Sequence, residues 1–252
     1  MPRSCGDSAM TRKPKPDGTR WRAMPLALLV LSSTFALADG IVVDKIYDPY
    51  VQPLEKEFEI RALVFSDDDL VDTQKHSFGY GQSLGERWFG EIYAIGVKTT
   101  GEHFRIDTYE LEFKRQLTEQ GEYAVDWGLL FEVEREADIN VWEVSTSLIA
   151  SREIGQWVAT ANFDLIYEWG DSVTNEFETA LHTQFRRRWT ERFEPGLEIH
   201  VGQDTLAVGP VFSGLKRLGG SSKFAWELGY FAGLDEITPD DTVRLTLEYE
   251  FY

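Results

Sequence analysis

Polar and apolar residues alternate along the last twelve positions of the chain. Residues 241–252 place apolar side chains on one parity and charged or hydroxyl side chains mainly on the other. The apolar set is Val243, Leu245, Leu247, Tyr249 and Phe251. Period-two alternation predicts a β-strand with one apolar and one polar face. A soluble protein normally protects such a strand inside a sandwich, whereas here it ends the chain with aromatic residues at its tip.

The same alternation recurs upstream and predicts twelve strands in all. The segments are 54–65, 75–84, 87–98, 104–116, 122–133, 140–151, 156–169, 176–189, 193–202, 206–216, 223–234 and 241–252. Each is about the 9–11 residues that a tilted strand needs to cross a bilayer, or slightly longer. Segment 104–116 breaks parity at Asp107, which predicts a bulge or an extension above the membrane. Segment 206–216 contains Pro210 and has no clean parity, so ten or fourteen strands are the alternative counts.

The terminal segment resembles the C-terminal strand of bacterial outer-membrane β-barrel proteins, which alternates in this way and ends on or next to Phe. Phe251 has the expected parity, and Tyr252 is one residue extra. The resemblance implies an all-β fold over residues 54–252, a closed antiparallel up-and-down transmembrane β-barrel of about twelve strands. Only a closed sheet satisfies every backbone group in lipid. The apolar parity should then face lipid and the polar parity the lumen.

The resemblance also implies a location and partners. The protein is expected in the outer membrane of a Gram-negative cell envelope, as a monomer in contact with lipid and lipopolysaccharide. The C-terminal strand should be what the barrel assembly machinery recognises. Composition agrees with a barrel that is polar inside and apolar outside, since 13% of residues are aromatic while only 42% are hydrophobic. Several of the 8 Trp residues lie toward segment ends, as interfacial girdles would.

The N-terminus has the pattern of a secretory signal peptide over residues 1–38. Basic residues precede the short apolar stretch Ala23–Ala38, and Ala36-Leu37-Ala38 predicts cleavage before Asp39. The only cysteine, Cys5, lies in this segment, so the mature chain should have no disulfide. Residues 39–53 contain two prolines and no clear period. They are interpreted as a periplasmic lead-in that tucks into the barrel mouth, or alternatively as a loose terminal tail.

Charge is strongly acidic and makes nucleic acid an improbable partner. The formal charge is −18, and without residues 1–38, which carry six basic and two acidic residues, it is −22. Leaving out segment 206–216, the inward parity holds nineteen Asp or Glu against eight Lys or Arg. Such a wall concentrates cations and repels anions. The prediction is a narrow passive channel or structural barrel with a cation-leaning lumen.

The predicted outer connections are acidic as well. Asp67, Asp68, Asp69 and Asp72 lie in one of them, and only Arg135 opposes the carboxylates of the whole set. These connections are either solvated loops or an outer rim that binds divalent cations, which take oxygen ligands. Apart from a divalent cation at these connections or at the histidine pair described below, no cofactor is indicated.

Two other function classes stay open. One is an outer-membrane enzyme acting on lipid or lipopolysaccharide, and the other is a soluble periplasmic barrel that binds an apolar ligand inside. None of the four histidines has Ser two residues later, and Glu198-x-His200 has the wrong acid for the Asp-x-His pair of outer-membrane proteases. No catalytic residue is therefore assigned.

One candidate site lies on the predicted lumen wall. If the turn 190–192 sets Trp189 opposite Phe193, then His182 faces His200, Gln184 faces Glu198 and Arg188 faces Glu194. The candidate binding cluster consists of His182, His200, Glu178, Glu198, Arg186, Arg188 and Asp164. Two imidazoles and a carboxylate can form a zinc site, with His182 and His200 as ligands. The alternative is a hydrogen-bonded network without metal.

Overall fold

A computed structural model describes residues 43–66, 73–171 and 173–252, and over these residues the chain forms twelve antiparallel strands. The strands are β1 (Lys56–Ser66), β2 (Thr73–Ser83), β3 (Trp88–Thr99), β4 (Arg105–Gln116), β5 (Asp126–Glu136), β6 (Val141–Ile154), β7 (Trp157–Gly170), β8 (Glu176–Arg187), β9 (Glu194–Val201), β10 (Leu206–Gly219), β11 (Ser222–Gly233) and β12 (Asp241–Phe251). The predicted signal peptide at 1–38 and the loop at 67–72, which contains the acidic residues of the first predicted outer connection, lie outside the described residues. No helix in the described ranges is long and apolar enough to cross a membrane.

Each strand pairs with its neighbours in sequence, and β1 pairs with β12 to close the sheet. The closing ladder runs without interruption from Lys56 opposite Phe251 to Ser66 opposite Asp241. Phe251 stacks on Phe58 across this seam, with 5.8 Å between ring centroids. The predicted closed up-and-down barrel of twelve strands is therefore confirmed, and the terminal strand that predicted it supplies half of the seam.

The alternation sorts side chains as expected. On β12, Val243, Leu245 and Tyr249 are exposed on the outer surface, while Arg244 and Thr246 are buried inside. Most other strands repeat this pattern, with Phe131, Phe163 and Leu228 exposed outside and Asp126 and Asp164 buried inside. The large apolar side chains line the outside of the barrel. A soluble barrel that binds an apolar ligand would need them on its inside, so their orientation does not support that alternative.

Strands β4 and β10 depart from regular alternation and pairing, and each irregularity has a physical cause. Ile95 pairs with Thr108 and Gly96 with Ile106, so Asp107 is the extra residue of a β-bulge, as the break in parity predicted. On β10, Ala207, Gly209 and Val211 face inward and are buried. Its inward residues are apolar, unlike those of most other strands, so the sequence of β10 shows no clean alternation. The pairs of Gly209 and Pro210 are missing from the ladder with β11, where proline has no N–H to donate.

Tryptophans mark both ends of the barrel wall. Trp142 stacks on Trp169 at one end, with centroids 6.5 Å apart. Trp88 and Trp157 begin β3 and β7 at the opposite end, where Trp189 is also exposed. Two aromatic rims separated by an apolar band are typical of barrels that cross a bilayer.

The apolar band predicts a depth-dependent cost for added charge. Leu148 faces outward in the middle of β6 and pairs with Phe163, which in turn pairs with Leu181. In lipid vesicles, Leu148→Arg should lower the free energy of unfolding by about 2–4 kcal/mol. Leu218→Arg, a matched change at the end of β10, should cost only about 0–1 kcal/mol. Denaturant titration measures both, and equal small losses would contradict a membrane-facing surface.

Candidate functional site

The segment of residues 43–53 lies inside the barrel rather than at its mouth. Tyr47 is buried, and its backbone N–H donates to Asn162 Oδ1 at 2.7 Å. The Asn162 side-chain amide donates back to the Tyr47 carbonyl at 3.0 Å, and the Tyr47 hydroxyl donates to Glu112 Oε1 at 2.6 Å. Tyr47 is thus fixed by both its backbone and its side chain to β4 and β7.

Ion pairs hold the first part of this segment to the opposite wall. Lys45 Nζ contacts Glu59 on β1 and lies 2.7 Å from Glu248 Oε1 on β12. Asp44 pairs with Arg61 on β1. Burial by itself would raise the pKa of Asp44, but the Arg61 guanidinium beside it holds that pKa well below its usual value. Asp44 therefore stays ionised and balances the positive charge of Arg61.

The rest of the segment is anchored further along the lumen. The Tyr50 hydroxyl donates to Asp126 Oδ2 at 2.8 Å, and the Val51 N–H donates to Gln116 Oε1 at 2.8 Å. Pro49 packs so closely on Gly128 that a Cβ added to this glycine would lie 2.9 Å from Pro49 Cα. Gly128 thus supplies the space that the segment occupies.

The sequence contained a signal for this arrangement. Leu130 and Ile149 have inward parity and are apolar, and both pack with Tyr47 in a small buried cluster. Ala207 and Phe231 likewise pack with Val43. Apolar residues on the inward parity of a polar lumen indicate that something covers them. The segment itself has no period, so its own residues could not show where it lies.

His182 and His200 face each other on the lumen wall in the register that the short turn predicted. Their Nδ1 atoms are 2.9 Å apart. His182 Nε2 lies 3.1 Å from Asp164, and His200 Nε2 lies 3.1 Å from Glu198. Both histidines are buried. Hydrogen bonds thus join His182, His200 and Glu198 in one chain, and Asp164 lies beside its His182 end.

All four ring nitrogens of the pair already face a polar partner in the wall. The two Nδ1 atoms share one hydrogen bond, in which one of them donates and the other accepts. His200 Nε2 is hydrogen-bonded to Glu198, and His182 Nε2 lies 3.1 Å from Asp164. This arrangement favours the polar network over zinc coordination.

Arg244 extends the chain across the lumen. Its Nη2 lies 2.7 Å from both Glu198 Oε2 and Glu227 Oε1, and its Nη1 donates to the Asp44 carbonyl. The guanidinium also stacks over Phe231, with 5.0 Å to the ring centroid. Sequence reasoning placed Arg244 on the inward parity but did not single it out, although it connects the histidine pair to the N-terminal segment.

The other predicted cluster residues lie apart from the histidines. Arg186 contacts Asp48 at 3.1 Å and Glu194 at 3.3 Å, while Arg188 pairs with Glu153 at 2.6 Å. The predicted pairing of Arg188 with Glu194 is wrong, because the β8–β9 ladder ends at Arg186 opposite Gly196 and Thr190 bridges Phe193 at the turn.

Two more of the predicted positions can be placed. Glu178 lies on the same strand as His182, opposite Ile166, and no described contact joins it to either histidine. Gln184 faces Glu198 as expected, and its amide donates to Glu198 Oε1 at 2.7 Å.

The lumen beside the N-terminal segment contains a cavity of about 560 Å³. Its walls include Lys45, Asp48, Glu57, Arg186 and Glu248. The interior is therefore narrowed by residues 43–53 but keeps a polar space along one side of them.

Comparison with known proteins places the fold among bacterial outer-membrane β-barrels. No family model matches the chain, and no curated protein matches it in sequence. An outer membrane channel from Pseudomonas putida F1 has a similar structure, with a TM-score of 0.55 and 13% identity over 83% of this chain and 99% of that one. The NanC porin gives a TM-score of 0.52 and 7% identity over 77% and 99%. At these identities the likeness shows the fold alone.

The hydrogen-bonded chain predicts a specific stability pattern. His200→Ala should lower the free energy of unfolding by about 1–3 kcal/mol, because it leaves His182 and Glu198 buried without their partner. The ring of His76 makes a 3.4 Å contact with Gln74 and lies 6.1 Å from the Phe104 ring, so His76→Ala should change the free energy of unfolding by about 0.5 kcal/mol or less. Denaturant unfolding of the refolded barrel compares the two, and equal effects would contradict the network.

Zinc titration tests the ligand hypothesis for the same pair. Because all four ring nitrogens already face polar partners, zinc should bind equally to the wild type and to His182→Ala. Isothermal titration calorimetry measures this. A zinc affinity that falls at least about tenfold in His182→Ala would instead establish a coordination site.

Proposed function

We propose that this protein is a narrow passive channel of the bacterial outer membrane, constricted by its own residues 43–53 and selective for cations. The outer-membrane location is supported by the apolar outer band and by the fold shared with outer-membrane barrels. Outer-membrane lipid and lipopolysaccharide would contact this band, and the assembly machinery would recognise the C-terminal strand.

The proposed constriction rests on the contacts of residues 45–47 with opposite walls of the barrel. Lys45 contacts β1 and β12, whereas Tyr47, two residues later, is bonded to Asn162 on β7. In a closed ring of twelve strands, β1 and β7 are opposite each other. Residues 45–47 therefore bridge the lumen from wall to wall, and any solute has to pass beside them.

The charge of the inner wall supports the cation preference. Eight Asp or Glu side chains line the cavity beside the segment, among them Glu57, Glu227 and Glu248, against six Lys or Arg, so its walls carry a formal charge of −2. Inward acidic positions outnumber basic ones in the sequence. A narrow acidic passage in low-dielectric walls raises the local cation concentration.

Removing the constriction should enlarge the pore. Single-channel recordings in planar bilayers should show several-fold higher conductance for a mature chain without residues 43–53 than for the wild type. Replacing these residues with a Gly/Ser linker of equal length should have a similar effect, because length is kept and the contacts are lost. Gly128→Leu, which takes the space of Pro49, should raise conductance partially.

The matched control is Ile139→Ala, which changes an exposed residue between β5 and β6 and should conduct like the wild type. If the deletion and the linker variant conduct no better than the wild type, residues 43–53 do not limit the passage.

Ion selectivity is the second test. Reversal potentials in a KCl gradient should show a preference for K⁺, and this preference should weaken as salt screens the wall charges. Glu57→Gln combined with Glu248→Gln should lower the preference, while Glu122→Gln, in the connection before β5, should leave it nearly unchanged. An anion preference in the wild type would refute the proposal.

A further inference from the structure

Three glutamates converge on the lumen wall where β4 and β5 pair. One carboxylate oxygen each from Glu110, Glu112 and Glu132 lies within 4.8 Å of the others. Glu112 is directly opposite Glu132, and Glu110 is opposite Glu134. Like charges directly opposite each other on paired strands destabilise a sheet. The cluster therefore needs a compensating positive charge.

One buried carboxylate oxygen of the cluster has no hydrogen-bond partner. Glu112 is 1% exposed, and its Oε1 accepts the hydrogen bond of Tyr47. Ser145 donates to Glu132 Oε2. Glu112 Oε2 is buried and has no hydrogen-bond partner. A buried carboxylate oxygen without a partner is costly, because it has lost its water without replacement.

A second cluster in the same lumen shows what a compensated arrangement looks like. Glu57, Glu59 and Glu91 also bring carboxylate oxygens within 4.8 Å of one another. There Lys45 Nζ contacts Glu59 Oε2, and Arg61 Nη2 lies 2.7 Å from Glu59 Oε1. In the described residues no direct ion pair reaches Glu110, Glu112 or Glu132. Lys75 and Arg61 act on Glu110 and Glu112 only from a longer distance. The cluster receives the neutral hydroxyls of Tyr47 and Ser145 instead.

We propose that Glu110, Glu112 and Glu132 form a calcium-binding site inside the barrel. Ca²⁺ binds carboxylate oxygens at about 2.3–2.6 Å, so ligands on opposite sides of the ion stand about 4.6–5.2 Å apart. Three oxygens within 4.8 Å of one another can all reach one ion. The ion supplies the missing positive charge and gives Glu112 Oε2 its partner. Glu110 and Glu132 are only partly buried, which leaves the ion a path from the lumen.

This site is distinct from the outer connections and from the histidine pair. Its binding is measured on the refolded protein in detergent and does not depend on whether the barrel conducts. Failure of the calcium site would therefore leave the channel proposal in place, and the reverse also holds.

Calorimetric titration of the refolded wild type with CaCl₂ should show saturable binding that Glu112→Gln weakens at least about tenfold, since affinity follows the number of charged ligands. Glu132→Gln should have the same effect. Glu91→Gln is the matched control in the cluster that Lys45 compensates, and it should leave the affinity unchanged. MgCl₂ in place of CaCl₂ should bind more weakly, because Mg²⁺ gives up its water reluctantly.

The unfolding midpoint provides a second test of the calcium site. Calcium should raise the unfolding midpoint of the wild type and not that of Glu112→Gln, with folding of each variant checked by heat-modified gel mobility. The proposal is overturned if the wild type binds no calcium, in which case a shared proton compensates the cluster. It is also overturned if Glu112→Gln binds calcium as tightly as the wild type, which would assign the binding to the acidic loops.

Discussion

Closure of the backbone ladder is the constraint on which the rest of this structure depends. A sheet in lipid has no water to satisfy an open edge, so β1 and β12 have to pair along their whole length. A closed ring then gives every strand one outward and one inward face. The period-two alternation of the sequence follows directly, with aromatic and aliphatic residues outside and charged residues inside.

The inward charges create the second problem that the structure solves. Twelve strands leave a narrow lumen, in which carboxylates and guanidinium groups approach one another closely. Residues 43–53 enter this space and supply matching groups, with Asp44 against Arg61 and Lys45 against Glu59 and Glu248. Arg244 connects this segment with the histidine pair through Glu198. Constriction of the lumen and compensation of its charges are thus two results of the same contacts.

The sequence predicted the barrel well and the lumen only in part. Strand positions followed from alternation because the outer face has a single requirement, apolarity. The pairing of His182 with His200 could be predicted because a short turn sets the register between neighbouring strands. The contact of Tyr47 with Asn162 joins residues 115 positions apart, and no local pattern specifies such a pairing. Strand β10 lacks a clean alternation for a similar reason, since its inward residue Ala207 packs with Val43 and Phe231 rather than facing water.

Amide hydrogen exchange of the refolded barrel tests most directly whether residues 43–53 occupy the lumen. The N–H groups of Tyr47 and Val51 donate to Asn162 and Gln116, so they should exchange as slowly as amides of the neighbouring strands. Exchange of both amides at the rate of an unstructured chain, in a barrel whose strands stay protected, would contradict the account.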